Sequence, residues 1–150
     1  MAEKKTKRTK GGLHPNNLHK RGYDFKALGV ADPEFARYVK PSAHGKLSID
    51  FSDDSAVLSL NRALLKHHYG VDGWEIPEGF LCPPIPGRVD YIHYIADQLV
   101  DGEKKPNKVK MLDVGTGANG IYSILASQVY GWRCVGSDID PLAIENVSLI

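Results

Sequence analysis

The sequence predicts an α/β chain whose last third begins a doubly wound parallel sheet and whose preceding part is a basic, mainly helical extension. An apolar run at residues 109–114 leads directly into the glycine-rich stretch GTGANG, which opens a helical pattern. A second short run at 133–137 follows that helix and ends in an acidic residue. Strand, glycine turn, helix, strand and acidic residue, in this order, form the first half of a doubly wound domain.

Composition separates the chain into a basic flexible arm (1–25), a helical region (26–105) and the start of a nucleotide-binding domain (106–150). The first 26 residues carry eight Lys and Arg against two acidic residues, a net charge of +6, whereas the remainder carries −5. A basic arm suits nucleic acid, because cations placed at phosphates release condensed counterions. A solvated tail that only aids solubility explains the charge equally well at this point.

Five side chains of the arm are candidate RNA contacts. Lys10, Lys20 and Arg21 are suited to phosphates, which they reach as flexible cations. His14 and Asn17 are suited to bases, because an imidazole can stack and an amide can both donate and accept hydrogen bonds.

Three helices are predicted between the arm and the first strand. The stretch DPEFARYV forms a short helix with Pro33 in its first turn. A longer helix begins after a cap at Ser52 or Asp53 and ends at Gly70. The segment WEIPEGFLCPPIPG is irregular because it is rich in proline. The third helix, in RVDYIHYIADQLVDG, has an apolar stripe at helical spacing: Ile92, Ile95, Ala96 and Leu99.

The glycine stretch predicts a site for a nucleotide cofactor. Gly115 allows a sharp turn after the strand, and Gly117 allows a ligand to approach the backbone. The free N–H groups of the following helix point toward the same place. Asp138 comes 23 residues after Gly115, at the end of the second strand, where a carboxylate can accept hydrogen bonds from ribose hydroxyls. These features suit either NAD or S-adenosylmethionine (SAM).

Asp113 favours SAM. This carboxylate precedes the first glycine by two residues, where it can accept from the ammonium of a methionine moiety or orient the glycine loop. A dinucleotide places its pyrophosphate at this turn, and a neighbouring anion repels it. NAD, and a glycine turn without any ligand, remain the alternatives.

Other features exclude several classes of protein. No run reaches the ~18 consecutive apolar residues of a membrane span, so we expect a soluble, cytoplasmic chain without a membrane partner. The two cysteines form no CxxC pair, and the histidines have no carboxylate or thiol cluster at ligand spacing, so we expect no metal. His93 is interpreted as a packed histidine. A monomer is expected. The aromatic residues interpreted as core are Tyr91, Tyr94, Tyr122 and Trp132.

Three segments, FLCPPIPGRVDYIHYIADQL, LDVGTGANGIYSILAS and YGWRCVGSDID, resemble the bacterial large-subunit ribosomal RNA adenine-N6 methyltransferase family. They are also similar to eukaryotic methyltransferase-like enzymes that methylate adenine in small nuclear and messenger RNA. The similarity runs from about Leu13 to the end of the chain. It implies a Rossmann-like, SAM-dependent methyltransferase in which the helical region binds RNA and caps the cofactor.

The resemblance also implies roles for individual residues. Arg88 of PGRVDYIH would contact the SAM carboxylate. Gly115 and Asn119 would line the methionine end of the pocket, and Asp138 would hold the ribose. The full expected cofactor-binding set is Arg88, Asp113, Gly115, Thr116, Gly117, Asn119 and Asp138.

The family's catalytic element is an Asn-Pro-Pro-Phe-like loop after a fourth strand. Its Asn oxygen and a backbone carbonyl accept the two N–H bonds of a flipped-out adenine, which stacks on the aromatic residue. The stretch LCPPIP has Cys82 and Ile85 in place of the polar acceptor and the aromatic ring, so we assign no catalytic residue. With two strands visible, we expect an inactive N-terminal piece of an enzyme that methylates adenine N6 in large-subunit ribosomal RNA. A non-catalytic RNA-binding module and an NAD-dependent oxidoreductase are the alternatives.

Overall fold

A computed structural model describes residues 12–100 and 108–150. Six helices lie in these ranges: α1 Phe25–Ala31, α2 Pro33–Ala36, α3 Asp54–Tyr69, α4 Ile85–Gln98, α5 Ile121–Tyr130 and α6 Pro141–Val147. Four strands accompany them: β1 Lys40–Pro41, β2 Leu47–Ser48, β3 Lys110–Val114 and β4 Arg133–Ser137. β1 and β2 form a short antiparallel hairpin, and β3 and β4 pair in parallel.

The ends of α3 lie where the sequence predicts them. The Asp53 carboxylate accepts the N–H groups of Ser55 and Ala56, which have no acceptor inside the helix. Gly70 ends the helix with a φ of 66°, in the left-handed region that favours glycine. Both signals act within a few residues of the chain, so local sequence was sufficient to place this helix.

Two helix boundaries differ from the prediction. α1 was not predicted; the Asp24 side chain caps it by accepting the Ala27 N–H at 3.0 Å. α4 begins at Ile85, three residues earlier than expected, with Pro84 as its N-cap and Pro86 in its first turn. Proline is tolerated there because the first N–H groups of a helix have no intrahelical partner. The irregular segment therefore ends before IPG.

The hydrophobic core lies where α3, α4 and α5 meet the segment that joins α3 to α4. Trp74 of that segment is fully buried, and α2 adds Phe35. Each large apolar side chain buried in this way stabilises the fold by about 1.5–3 kcal/mol. Leu99 is 45% exposed, so the predicted α4 stripe ends before it. The helical core residues include Leu60, Leu64, Leu65, Val89, Ile92, Ala96, Ile121 and Leu125.

The register of β3 and β4 sets the edge of the sheet at which the glycine stretch begins. Lys110 pairs with Arg133 at one end, and Val114 pairs with Ser137 at the other. The strands are parallel, so both carboxyl ends meet at the same edge of the sheet. The glycine stretch that follows β3 therefore lies beside Asp138, which follows β4.

One face of this strand pair is open in the described part of the chain. α5 packs against the other face. Leu112, Val114 and Val135 are 64–77% exposed. The sequence predicts a buried strand at 109–114, but no residue of β3 is fully buried: Met111 and Asp113 are half-buried, and the residues that alternate with them are exposed. Side chains alternate between the two faces of a strand, so a sheet covered on one side shields only half of them.

Candidate functional site

Three glycines shape the loop between β3 and α5. Gly115, Gly117 and Gly120 have φ values of 77°, 67° and 56°. L-residues with a side chain rarely adopt such values, so the GxGxxG spacing matches a backbone requirement of this loop.

The start of the loop is fastened to the end of β4. The N–H groups of Gly115 and Thr116 donate to the Ser137 carbonyl at 2.7 and 2.9 Å. The Thr116 hydroxyl donates to Asp113 Oδ2 at 3.0 Å. Asp113 therefore orients the loop, which is one of the two actions expected of it. A Cβ on Gly136 would lie 2.9 Å from Thr116, so β4 approaches the loop closely.

Asp138 fastens the middle of the loop. Its Oδ2 accepts the Gly117 N–H at 2.9 Å, and its Oδ1 accepts the Asp140 N–H at 2.9 Å. These backbone hydrogen bonds, from Asp140 and then Gly117, lower the pKa of the Asp138 carboxyl below its ordinary value. Each carboxylate oxygen has a further lone pair, so the group can still accept ribose hydroxyls.

Arg88 lies in the first turns of α4 and reaches the start of α5. Its Nη1 donates to the Tyr122 hydroxyl at 2.9 Å, and the guanidinium carbon lies 5.5 Å from the Tyr122 ring centroid. The buried Nε of Arg88 has no hydrogen-bond partner among the described residues. Unpaired buried N–H groups are rare in proteins. A carboxylate ligand would satisfy this one, so the site fits the carboxylate of SAM.

Asn119 connects the loop to α5 and to the preceding region. Its side-chain oxygen accepts the Ile121 N–H at 3.0 Å, and its backbone carbonyl accepts the Trp74 Nε1–H at 2.9 Å. The structure thus brings Asp113, the loop and Asp138 into direct contact, and Tyr122 links Arg88 to the helix that follows the loop.

Tyr122 was predicted as a core residue and was therefore missed as a site residue. Its place two residues after Gly120, in the first turn of α5, was the signal that could have identified it. The core assignment is wrong for Tyr91 and Tyr94, which are 55% and 49% exposed, and is confirmed for Trp132. Burial of His93 is confirmed as well.

His14 and Asn17 are buried against α4, and this argues against base contact by either side chain. The backbone N–H of His14 donates to Asp90 Oδ1 at 2.6 Å, and its ring Nε2 donates to Asp97 Oδ2 at 2.8 Å. The Asn17 amide donates to the Pro86 carbonyl at 2.9 Å and to Asp90 Oδ1 at 3.0 Å. These partners are more than 65 residues away in the chain, and we correct the role of both side chains to structural anchors.

The other arm residues differ in position. Lys20 and Arg21 are exposed, whereas Lys10 lies outside the described residues. Between the anchors and these cations, His19 is buried, and its Nε2 lies 2.8 Å from the Tyr69 hydroxyl. Burial, with a smaller contribution from His68, lowers the pKa of His19 to about 4. The imidazole is therefore neutral at pH 7, and the anchored segment presents Lys20 and Arg21 to solvent.

Among the described residues, no group of three or more His, Cys, Asp or Glu side chains is arranged to hold a metal ion. Cys82 and Cys134 are free, and burial raises the pKa of both thiols. No helix in the described ranges has the length and apolar character needed to cross a membrane.

Comparison with known sequences identifies a family for this chain. A family model described as RNA methyltransferase matches residues 7–150. The ribosomal RNA large subunit methyltransferase F of Shewanella baltica (strain OS223) is 58% identical over 143 residues, which are 94% of this chain and 39% of that protein. The chain thus spans about two fifths of that relative's length.

Two solved structures resemble this chain in fold. The N-terminal domain of human METTL16 in complex with SAH has a TM-score of 0.80 at 29% identity, covering 92% of this chain and 54% of that one. The hMettl16 catalytic domain in complex with MAT2A 3'UTR hairpin 6 has a TM-score of 0.81 at 29% identity, covering 92% and 48%. The fold is accordingly that of a Rossmann-like methyltransferase. Because the family model covers nearly the whole sequence, the chain belongs to the RNA methyltransferase family.

Proposed function

We propose that the protein is a SAM-dependent methyltransferase that acts on adenine N6 in large-subunit ribosomal RNA. The observation that carries the proposal is the Arg88 guanidinium, whose buried Nε lacks a partner among the described residues. It lies beside Tyr122, at the start of the helix that the glycine loop opens. The name of the Shewanella relative supports the RNA substrate, and the SAH complex of the human neighbour supports the cofactor.

This chain supplies the residues that would hold SAM. Arg88 would pair with the cofactor carboxylate through its guanidinium N–H groups, of which one donates to Tyr122. Gly115 and Gly117 carry no Cβ, so the ligand can approach their backbone. Asp138 would accept ribose hydroxyls with its remaining lone pairs. Bound SAM would supply a sulfonium methyl group for transfer.

The same chain supplies an RNA contact. Lys20 and Arg21 are exposed beside a segment that His14, Asn17 and His19 anchor to the helices. An anchored cation loses less freedom on binding than one on a flexible tail, so these two are the favoured phosphate contacts. Lys10 remains a proposed contact on charge alone.

We assign no residue of this chain to the catalytic loop that would bind adenine, because the sequence holds no Asn-Pro-Pro-aromatic motif. We therefore propose that the 150 residues alone bind SAM and RNA without transferring a methyl group. We also propose that the protein works as a monomer in the cytoplasm.

Calorimetric titration of SAM tests the cofactor assignment. We expect saturable binding to the chain and a loss of about 10- to 100-fold in affinity for Arg88→Met, the range of a charge-assisted hydrogen bond. Arg37→Met is the control, since Arg37 is an exposed arginine at the end of α2. Equal affinity in all three proteins, or saturable binding of NADH in place of SAM, would contradict the proposal.

A further inference from the structure

Two side chains from outside the glycine loop hold the carbonyl groups of its last turn. Trp74, from the segment between α3 and α4, is fully buried. Its Nε1–H donates to the backbone carbonyl of Asn119 at 2.9 Å. This hydrogen bond joins residues 45 positions apart, so it links the helical region directly to the loop.

Asn146 of α6 holds the neighbouring carbonyl. Its side-chain NH2 group donates to the Ala118 carbonyl at 2.7 Å and to the Glu75 carbonyl at 2.9 Å. One amide therefore uses both of its protons, one on the loop and one beside Trp74. The next residue, Val147, packs closely on the loop as well, since a Cβ on Gly120 would lie 3.3 Å from it.

Holding these two carbonyls fixes the direction of two N–H groups. In a planar trans peptide the C=O of one residue and the N–H of the next point in opposite directions. The Ala118 carbonyl therefore sets the direction of the Asn119 N–H, and the Asn119 carbonyl sets that of the Gly120 N–H. Both point away from Trp74 and Asn146. A loop whose peptide planes are fixed in advance loses less conformational entropy when a ligand binds.

We infer that Trp74 and Asn146 are positioning residues for the SAM loop, and that the helical region and α6 tune cofactor affinity through them. The inference rests on the proposed function, because it takes SAM as the ligand of the loop. Neither residue is expected to touch the cofactor. Their contribution is to hold the peptide planes at Ala118 and Asn119 in the conformation that the ligand meets.

The test compares Trp74→Phe and Asn146→Ala with Trp132→Phe in the full chain. Phenylalanine keeps an aromatic ring in the core at position 74 but removes the N–H donor. Trp132→Phe makes the same change at a buried tryptophan that packs on Tyr130, away from the loop. Amide hydrogen exchange of Asn119 and Gly120 is measured without ligand, and the SAM dissociation constant is measured by calorimetry.

We expect exchange at Asn119 and Gly120 to quicken in Trp74→Phe and Asn146→Ala and to stay unchanged in Trp132→Phe. SAM affinity should fall about five- to tenfold in the first two, because each of them loses one hydrogen bond to a carbonyl of the loop. In Trp132→Phe it should stay within about twofold of the unaltered chain.

Two results overturn the inference. One is equal loop exchange rates in all three variants, and the other is an equal loss of SAM affinity in Trp132→Phe, which would indicate a general loss of stability. Failure of the proposed function gives a different pattern. In that case the unaltered chain does not bind SAM, while the loop exchange rates still report whether Trp74 and Asn146 hold the two carbonyls.

Discussion

Oδ2 of Asp138 accepts the backbone N–H of Gly117 over 2.9 Å, which joins the end of β4 to the middle of the glycine loop. The two residues are 21 positions apart, and the parallel register of β3 and β4 brings them together. The carboxylate that is proposed to hold the ribose thus also holds the loop that receives the rest of the cofactor.

Replacing this carboxylate by an amide should weaken cofactor binding. In Asp138→Asn one of the two acceptor oxygens becomes an NH2 donor, so either the Gly117 N–H or a ribose hydroxyl loses its acceptor. We expect SAM affinity to fall by a factor on the order of ten, measured by calorimetry. Glu145→Gln, the same change at an exposed residue of α6, should leave affinity unchanged. Equal losses in both variants would contradict the assignment.

Acid should destabilise the protein through His19. Burial lowers the pKa of this imidazole to about 4, whereas its ordinary value is 6.5. Between these values the unfolded chain binds a proton that the folded chain does not, so stability falls as the pH drops through this window. Urea unfolding at intervals from pH 7 to pH 4 measures the effect.

The His19→Gln variant separates this histidine from the others. Its free energy of unfolding should depend less on pH between 6.5 and 4, although it should be lower at pH 7 because the contact with Tyr69 is altered. His44→Gln replaces an exposed histidine and should keep the original pH dependence. If the free energy of unfolding depended on pH equally in His19→Gln and in the unaltered chain, His19 would not be the source of the acid destabilisation.

Two glycines should respond oppositely to alanine. A Cβ at Gly136 would lie 2.9 Å from both Cγ2 and Oγ1 of Thr116 and 3.0 Å from its Cβ. The Thr116 side chain is itself buried, so Gly136→Ala should destabilise the fold by about 1–3 kcal/mol. Gly87 lies in α4 with open space around its Cβ position, so Gly87→Ala should stabilise by about 0.5–1 kcal/mol. Thermal unfolding measures the change in stability of both variants. A destabilisation by Gly87→Ala as large as that by Gly136→Ala would contradict the close approach of β4 to Thr116.

Lys20 and Arg21 should contribute to RNA affinity through phosphates. The double variant Lys20→Ala/Arg21→Ala should bind a hairpin of large-subunit ribosomal RNA more weakly, and the slope of log affinity against log salt should fall by about 2. Fluorescence anisotropy at several salt concentrations measures both quantities. Lys46→Ala, which removes an exposed lysine beside the β1–β2 hairpin, is the control. An unchanged slope in the double variant would exclude phosphate contact by these residues.

The parts of the fold that local sequence specifies agreed with prediction. Asp53 and Gly70 limit α3 through hydrogen bonds and a backbone angle within a few residues of the chain. The glycine spacing and the acidic residue after β4 marked the loop and its carboxylate, because both follow directly from strand ends. The burial of β3 could not be predicted in this way, since it depends on which elements cover the sheet.

Contacts between distant segments give several side chains roles that differ from the ones predicted from the sequence. His14 and Asn17 look like base-contacting residues in a basic arm, yet they bind α4 residues that lie about 70–80 positions further along the chain. Tyr122 was predicted as an ordinary core aromatic and Trp74 had no predicted role, yet their polar atoms contact Arg88 and the Asn119 carbonyl. The residues beside a side chain in the sequence do not indicate which distant residue it will hydrogen-bond in the folded protein.

The sequence by itself determined the order of elements, the glycine loop and the acidic residue beside it, because capping, glycine backbone angles and hydrophobic periodicity act over a few residues. Only the tertiary structure decided which polar side chains stay free to meet a ligand. Burial and hydrogen bonding between distant segments anchored His14 and Asn17, fastened the loop to Trp74 and Asn146, and left the Nε of Arg88 without a partner among the described residues.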